Sequence, residues 1–350
     1  MTIFDFEKIK KKQQFYMIAE IGVNHECSLK KAKKLISQAK SAGAHAAKFQ
    51  TYKADKIASK FSKAYWDTSK EKTKSQHQLF SKFDKFTSLD YKILANYCKK
   101  IKIDFLSTPF DLESVNIINP LVPIFKISSS DISNVPLLRK ISSIGKPVLL
   151  STGGSNISEI KNAIKNLNFK KKLKIVLMHC ILNYPTKDSN ANLLMIKHLS
   201  NSFKNYPIGY SDHTLPNKKM SNISIAYLMG ARVIEKHFTY NKKLKGNDHY
   251  HAMDVEDLKK ITENIKEIDI TLGNSKKKNY LKSEILSRKN ARRGIFVAKI
   301  IKKNEKITHN KLITLRPNIG IPASDWDKVL NKRAKMDLKK GANLKWKNIK

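Results

Sequence analysis

The sequence predicts a (β/α)8 barrel followed by a small, mostly β domain, on three observations. Short apolar runs alternate with helical stretches eight times between Tyr16 and about Leu272, the rhythm of a parallel sheet with crossover helices. No G-x-G-x-x-G follows the first run, and no G-x-x-x-x-G-K-[ST] occurs anywhere, so open dinucleotide-binding and P-loop sheets lose their main signatures. From Asn290 the punctuation changes, with strand-like pieces separated by turns.

In chain order, the predicted strands are Tyr16 to Gly22, Ala46 to Gln50, Asp104 to Ser107, Pro123 to Ile127, Pro147 to Leu150, Lys174 to Met178, Ile208 to Tyr210 and Arg232 to Ile234. Each is short, apolar and bounded by polar residues, as a strand buried on both faces must be. Helical periodicity falls between them, over Ser28 to Ala42, Leu89 to Ile101, Val135 to Ile144, Ile157 to Leu167 and Leu193 to Ser202, then up to about Leu272. The long polar interval Thr51 to Ser88, with A-Y-W-D and S-Q-H-Q-L-F, breaks the rhythm and reads as a lid or interface element. His77 within it reads as a surface residue. The boundaries are therefore a barrel over 1–272, a polar linker over 273–289 and a β module over 290–350, with strands at Gly294 to Ala298 and Leu312 to Leu315. A module this small gains little stability alone and is expected to pack on another barrel.

Composition limits the function classes. Lys+Arg total 69 against 29 Asp+Glu, a net charge of +40 that raises a nucleic-acid reading. The excess is lysine scattered over helix faces, and the tight runs at Lys170 to Lys174 and Lys276 to Lys278 carry no interleaved aromatics for base stacking. The charge is read instead as an attractor of small anions, with nucleic acid not expected as a partner. Cys27, Cys98 and Cys180 are odd in number and far apart, which suits reduced thiols rather than a disulfide framework. No apolar run spans a bilayer and the first residues lack a signal-peptide pattern, so no membrane partner and a cytoplasmic location are expected.

The chemistry concentrates at the strand ends. His213 and His237 follow the seventh and eighth strands, and two imidazoles at one rim, with Asp212, Glu235 and Lys236 around them, suit a divalent metal with open positions. Lys48 and Lys126, with Thr108, Ser129 and Ser151, end other strands and suit a phosphorylated acid.

These ends form an ordered series: A-E-I-G-V-N-H, K-F-Q-T, F-L-S-T-P-F-D, K-I-S-S-S-D, L-S-T-G, Y-P-T, G-Y-S-D-H-T and V-I-E-K-H-F-T. The series resembles the N-acetylneuraminate (sialic acid) synthase family, and A-R-R-G-I-F-V-A with L-R-P resembles that family's antifreeze-like (SAF) domain. The resemblance implies metal-dependent condensation of phosphoenolpyruvate with N-acetylmannosamine or a related N-acylated hexosamine, giving a nine-carbon sialic acid and phosphate by C–O cleavage. The related synthases of legionaminic and pseudaminic acids, which take diacetamido sugars, are the alternative. By the same resemblance His213 and His237 hold Mn2+ or Mg2+. Lys48, Thr108, Lys126, Ser129 and Ser151 hold phosphoenolpyruvate, Gln50 and Ser211 are further substrate-binding residues, and Glu20 handles a proton. Asp131, Tyr184 and Asp248 meet the sugar, while Arg316 reaches it from a partner's SAF domain in a domain-swapped homodimer. Asp131, Leu182, Asn183, Asn318 and Cys27 depart from the usual pattern, and all bear on sugar recognition. Two rivals are a Schiff-base aldolase built on Lys126, which needs no metal, and a basic nucleic-acid-binding protein.

Overall fold

The computed structural model describes residues 2–66, 68–69, 71–246, 248–275 and 277–350. Asp67 of A-Y-W-D and Lys276 of the second lysine run lie outside the described residues. The chain divides into two compact units, 1–272 and 273–350.

In the first unit the eight apolar runs form parallel strands: β1 Tyr16–Gly22, β2 Ala46–Thr51, β3 Asp104–Pro109, β4 Phe125–Ile127, β5 Val148–Ser151, β6 Ile175–His179, β7 Ile208–Asp212 and β8 Val233–His237. Hydrogen-bonded neighbours run β3-β2-β1-β8-β7-β6-β5-β4, and β3 also lies against β4, so the sheet closes as a TIM barrel. The helices outside it begin where the sequence supplies side-chain caps. Ser28, Thr87, Asp111, Asn134 and Asn156 each accept a bond from the first turn they precede, which satisfies a backbone N–H that the helix cannot.

Period-two alternation sorts each strand's side chains between two cores. Met17, Ala19 and Ile21 of β1 pack outward with Leu35 and Ile36 of helix Leu29–Ser41. Tyr16 and Ile18 pack inward with Ala46, Leu106, Leu149, Val176 and Val233. One step further along the same inward rows the residues turn polar: Glu20, Lys48, Thr108, Lys126, Ser151, Ser211 and Glu235, all buried. The interior is thus an apolar plug at the strands' N-terminal ends and a polar layer at their C-terminal ends, where barrels of this kind hold their chemistry.

The chain's start seals the apolar end. Phe4 and Ile9, around helix Phe6–Lys10, join the inner cluster. Asp104 opens β3 and accepts bonds from Thr2 Oγ1 (3.0 Å), Ile3 N (2.9 Å), Phe4 N (3.0 Å) and Tyr16 Oη (2.7 Å). Asp104→Ala strands buried donors and should cost about 2–4 kcal/mol, read as a lower urea midpoint at unchanged slope.

Several boundaries differ from the sequence reading. β7 and β8 continue through Asp212 and His237, because their polar residues find partners on one face of the sheet or the other (below). The interval after β2 carries helices Ala54–Ile57 and Gln76–Phe83, and buried Glu71 takes Lys82 Nζ of the second at 2.6 Å. His77 pairs with Asp55 at 2.7 Å. The segment read as a linker carries a short 3-10 turn, Lys282–Glu284, and the start of helix Ile285–Ala291. Beyond it, β9 Gly294–Val297 pairs antiparallel with β10 Leu312–Leu315 over a separate core that includes Ile295, Val297, Ile301 and Leu344. Among the described residues no helix is long and apolar enough to cross a membrane.

Candidate active site

The polar layer contains two linked clusters. In the first, Lys48 Nζ lies 2.6 Å from Glu20 and 3.8 Å from Glu235 and donates to Thr108 at 3.0 Å. Lys126 donates to Glu235 at 2.9 Å. Gln50 donates to Glu20 at 3.1 Å, and Ser211 donates to Glu235 at 3.2 Å. The two lysines are therefore not the bare ammonium pair the sequence suggested: two carboxylates face them. Taking four charges out of water is tolerable only when each finds an opposite charge, and strand alternation achieves that by aiming all four inward.

The carboxylates are not equivalent. Burial opposes the charge on Glu235, but Lys126 and Lys48 outweigh it and hold the carboxyl down at about 2. Burial drives Glu20 the other way: Lys48 offsets part of it, Glu235 adds to it, and the net is upward. Glu20 thus takes up a proton more readily than an ordinary glutamate, while Glu235 is a permanent counter-ion. Burial also works against Lys48, yet Glu20 and Glu235 raise it overall.

A stability dependence follows from Glu235. The unfolded chain protonates this group near the ordinary 4.5 and the folded chain only near 2. Its stabilisation is complete above 4.5 and is lost as pH falls through 2. Urea midpoints measured down the acid range should fall in that window, and Glu235→Gln should flatten the slope there.

Beside these charges lies a cluster of small polar groups from the ends of β4, β5 and β6. Ser129 Oγ accepts from Gly153 N at 2.9 Å and sits 3.0 Å from Cys180 Sγ, while Ser151 Oγ is buried with no hydrogen-bond partner among the described residues. A Cβ on Gly153 would come within 2.7 Å of Cys180 Sγ and 2.9 Å of Ser129 Oγ, so only glycine lets the backbone approach this closely. Asp131 is on the adjoining 3-10 turn, where it accepts from Asn134 at 3.0 Å.

The second cluster is histidine-rich. The His213 and His237 rings lie 5.8 Å apart, and Tyr184 covers His213 at 4.2 Å. His213 Nδ1 is bonded to the Ile181 carbonyl at 2.8 Å, which leaves Nε2 as the nitrogen that can meet a metal. Burial and the neighbouring His237 hold His213 down at about 4, so it is a neutral donor at neutral pH. For His237 burial is outweighed by Asp248, 3.4 Å from Nδ1, and the net is upward. Burial resists ionisation of Asp248 too, but His237 holds it well below the usual carboxylate range. Ligand atoms of His237, Asp248 and His251 all lie within 4.8 Å of one another, and both ring nitrogens of His251 and Nδ1 of His237 are buried without a hydrogen-bond partner among the described residues. Two imidazoles and a carboxylate suit Mn2+, Fe2+, Co2+ or Zn2+ and, less well, Mg2+. The donors present fit a divalent metal.

Asp212 and Lys236 do not join the metal group as the sequence suggested. They alternate onto the other face of β7 and β8, where Lys236 Nζ binds Asp212 at 2.8 Å and the Thr214 carbonyl at 2.6 Å. Asp212 also accepts from Tyr210 Oη at 2.8 Å and Thr214 N at 3.0 Å. This knot fixes the two strand ends that carry His213 and His237.

Comparison with known proteins matches residues 35–277 to the NeuB family and residues 292–350 to the SAF domain. The chain belongs to the NeuB family. An N,N'-diacetyllegionaminic acid synthase of Campylobacter jejuni is 40% identical, over 92% of this chain and 96% of its own. An N-acetylneuraminate-9-phosphate synthase of Drosophila melanogaster is 35% identical, over 75% of this chain and 70% of its own. The crystal structure of an N-acetylneuraminic acid synthetase from Leptospira borgpetersenii, in complex with citrate, superposes with a TM-score of 0.68 at 32% identity, covering 78% of this chain and 90% of that one.

In this NeuB-family chain the barrel gathers Glu20, Lys48, Gln50, Thr108, Lys126, Ser129, Ser151, Tyr184, Ser211, His213, His237 and Asp248 at one mouth. Asp131 stands at its edge, and Arg316 is an exposed residue of the second unit, directly after β10. Sequence reasoning missed His251, Gly153 and Cys180. Only the D-H-Y-H run at 248–251 hinted at His251, and it sits in an aperiodic loop. A groove of about 550 Å³ between helices Ser221–Leu228 and Val255–Leu272 holds none of the predicted site residues. Its lining, including Ile225, Leu228 and Leu272, is mainly apolar.

Proposed function

We propose that this NeuB-family enzyme condenses phosphoenolpyruvate with the open-chain form of an N-acylated mannosamine-type sugar, giving a nine-carbon α-keto acid and phosphate. The observation that carries the reading is the juxtaposition, at one barrel mouth, of the lysine and serine cradle with the His213, His237 and Asp248 group. Lys48 and Lys126 draw in the phosphate and carboxylate of phosphoenolpyruvate, and Ser129 and Ser151 orient it. The histidines hold a divalent ion, which when bound supplies carbonyl polarisation for the aldehyde.

In the reaction the methylene carbon of phosphoenolpyruvate forms the new C–C bond to the aldehyde carbon. Water adds to the enol carbon, and phosphate leaves as its C–O bond breaks and the ketone forms. The aldehyde oxygen needs a proton and the attacking water must lose one. Glu20, with its raised affinity for protons, gives the first and takes the second. Lys126 is ion-paired to Glu235, unlike the uncompensated lysine that forms a Schiff base. Tyr184 and Asp248 contact the sugar, and Arg316 meets its acyl end from a partner's SAF domain in a homodimer.

Between sugars, the diacetamido reading takes precedence over N-acetylmannosamine, because the Campylobacter relative spans both chains nearly end to end at 40% identity. Phosphate release from phosphoenolpyruvate, measured with N-acetylmannosamine and with 2,4-diacetamido hexoses, tests both levels. Release with any of these sugars, abolished by EDTA, is expected. A borohydride-trapped pyruvate adduct with EDTA-resistant turnover would overturn the reading in favour of a lysine aldolase.

A further inference from the structure

The pair of histidines named from sequence is not the tightest donor group in the barrel. His251 is fully buried (0% exposed), yet neither of its ring nitrogens has a hydrogen-bond partner among the described residues. An imidazole always presents a donor, an acceptor or both, and a buried polar atom left unmatched calls for something that occupies it. The ring stands 4.8 Å from that of His237, at 61° to it, and 6.0 Å from that of Tyr184. The described acidic group beside it is Asp248, whose carboxylate shares the 4.8 Å cluster with His237 and His251.

The loop carrying these residues is held firmly. Asn24, from the turn after β1, donates to the Phe238 carbonyl at 3.0 Å and to the Asp248 carbonyl at 3.3 Å. Met253 N bonds the His237 carbonyl at 2.8 Å, and Thr239 N bonds the Met253 carbonyl at 2.9 Å. His251 thus lies between two points stitched to the end of β8, facing the histidine that ends that strand. On the far side, Tyr250 Oη donates to the Tyr184 carbonyl at 3.2 Å, tying the loop to the residue that covers His213.

We infer that His251 is a direct ligand of the divalent metal, which it would hold together with Asp248 and the His213 and His237 imidazoles. The inference rests on the metal-dependent reading above and deepens it. A second imidazole beside His237 and Asp248 moves the site's preference from magnesium toward manganese, iron or cobalt, since nitrogen donors favour the later ions. The His213 ring lies 5.8 Å from that of His237 and is covered by Tyr184, so it would hold the same ion from the end of β7.

The test is Mn2+ binding to the full-length protein, measured by equilibrium dialysis and by electron spin-echo spectroscopy, which counts the imidazole nitrogens coupled to the ion. His251→Ala is expected to weaken Mn2+ binding by about a hundredfold or more, beyond the 10- to 100-fold that loss of an outer partner costs. It should also remove one coupled nitrogen and shrink the rise in melting temperature that Mn2+ gives the wild type. His251→Gln, which keeps the volume and a hydrogen-bonding group, should lose the nitrogen coupling too, and it serves if the alanine variant folds poorly. If His251 only packs or binds a water, both variants will lose stability while affinity and nitrogen count stay at wild-type values, and the inference is wrong. That failure leaves the proposed reaction intact. A wild-type protein that binds no Mn2+, Fe2+ or Co2+ overturns both.

Discussion

His237→Ala lowers kcat/KM for phosphate release by about three orders of magnitude or more, roughly 4 kcal/mol of transition-state stabilisation. The size follows from its position as the hub of the second cluster. Its ring is 5.8 Å from His213 and 4.8 Å from His251, and Nδ1 is 3.4 Å from Asp248. Removing it leaves the partly buried carboxylate of Asp248 without its principal counter-charge, and would leave the ion with no imidazole from the end of β8. His213→Ala is expected in the same direction. Bound metal, turnover and the thermal unfolding curve should be measured together, because the prediction is loss of the first two with a folded protein. A variant that keeps its metal and its rate removes His237 from the chemistry.

The second large effect is on stability and lies one residue away. Lys236→Met should cost about 3–5 kcal/mol, because it leaves the Asp212 carboxylate buried without its cation. Lys236 is almost wholly inaccessible and donates to Asp212 at 2.8 Å and to the Thr214 carbonyl at 2.6 Å. Burial resists the charge of Asp212, yet Lys236 and the Thr214 donors hold its carboxyl below the usual range. Methionine fills similar space, so the loss measures charge and hydrogen bonding rather than a cavity. Adding Asp212→Asn removes the orphaned charge and should recover part of the loss, a coupling read from the double-mutant cycle. Lys236→Met should also weaken metal binding, since the ion pair joins the ends of β7 and β8. A double variant whose loss equals the sum of the Lys236→Met and Asp212→Asn losses would mean the two residues do not act as a pair.

Much of the barrel was legible because buried parallel strands are written as short continuous apolar runs, and all eight appear within a few residues of their predicted positions. Misplaced boundaries have one cause. Ser211, Asp212, Glu235 and Lys236 look like loop residues in one dimension because they are polar, and they are strand residues in three because each meets a partner from another strand. The same cause explains Lys48 and Lys126. Their place at strand ends was readable, but Glu235, which faces both, lies more than a hundred residues further along the chain. His251 was hidden for a different reason: its loop has no periodicity, so no pattern says which way a side chain points.

By itself the sequence determined the order of strands and helices, the row of side chains each strand sends inward, and the catalogue of polar groups at the strands' C-terminal ends. Those properties are local, set by alternation, capping and the burial of apolar runs. The tertiary structure alone decided which charges meet: Glu235 with two lysines, Asp212 with Lys236, and His237 with Asp248 and His251. Pairing depends on barrel closure and on where an aperiodic loop folds back, and energies of contact between residues remote in the chain leave no periodic trace along it.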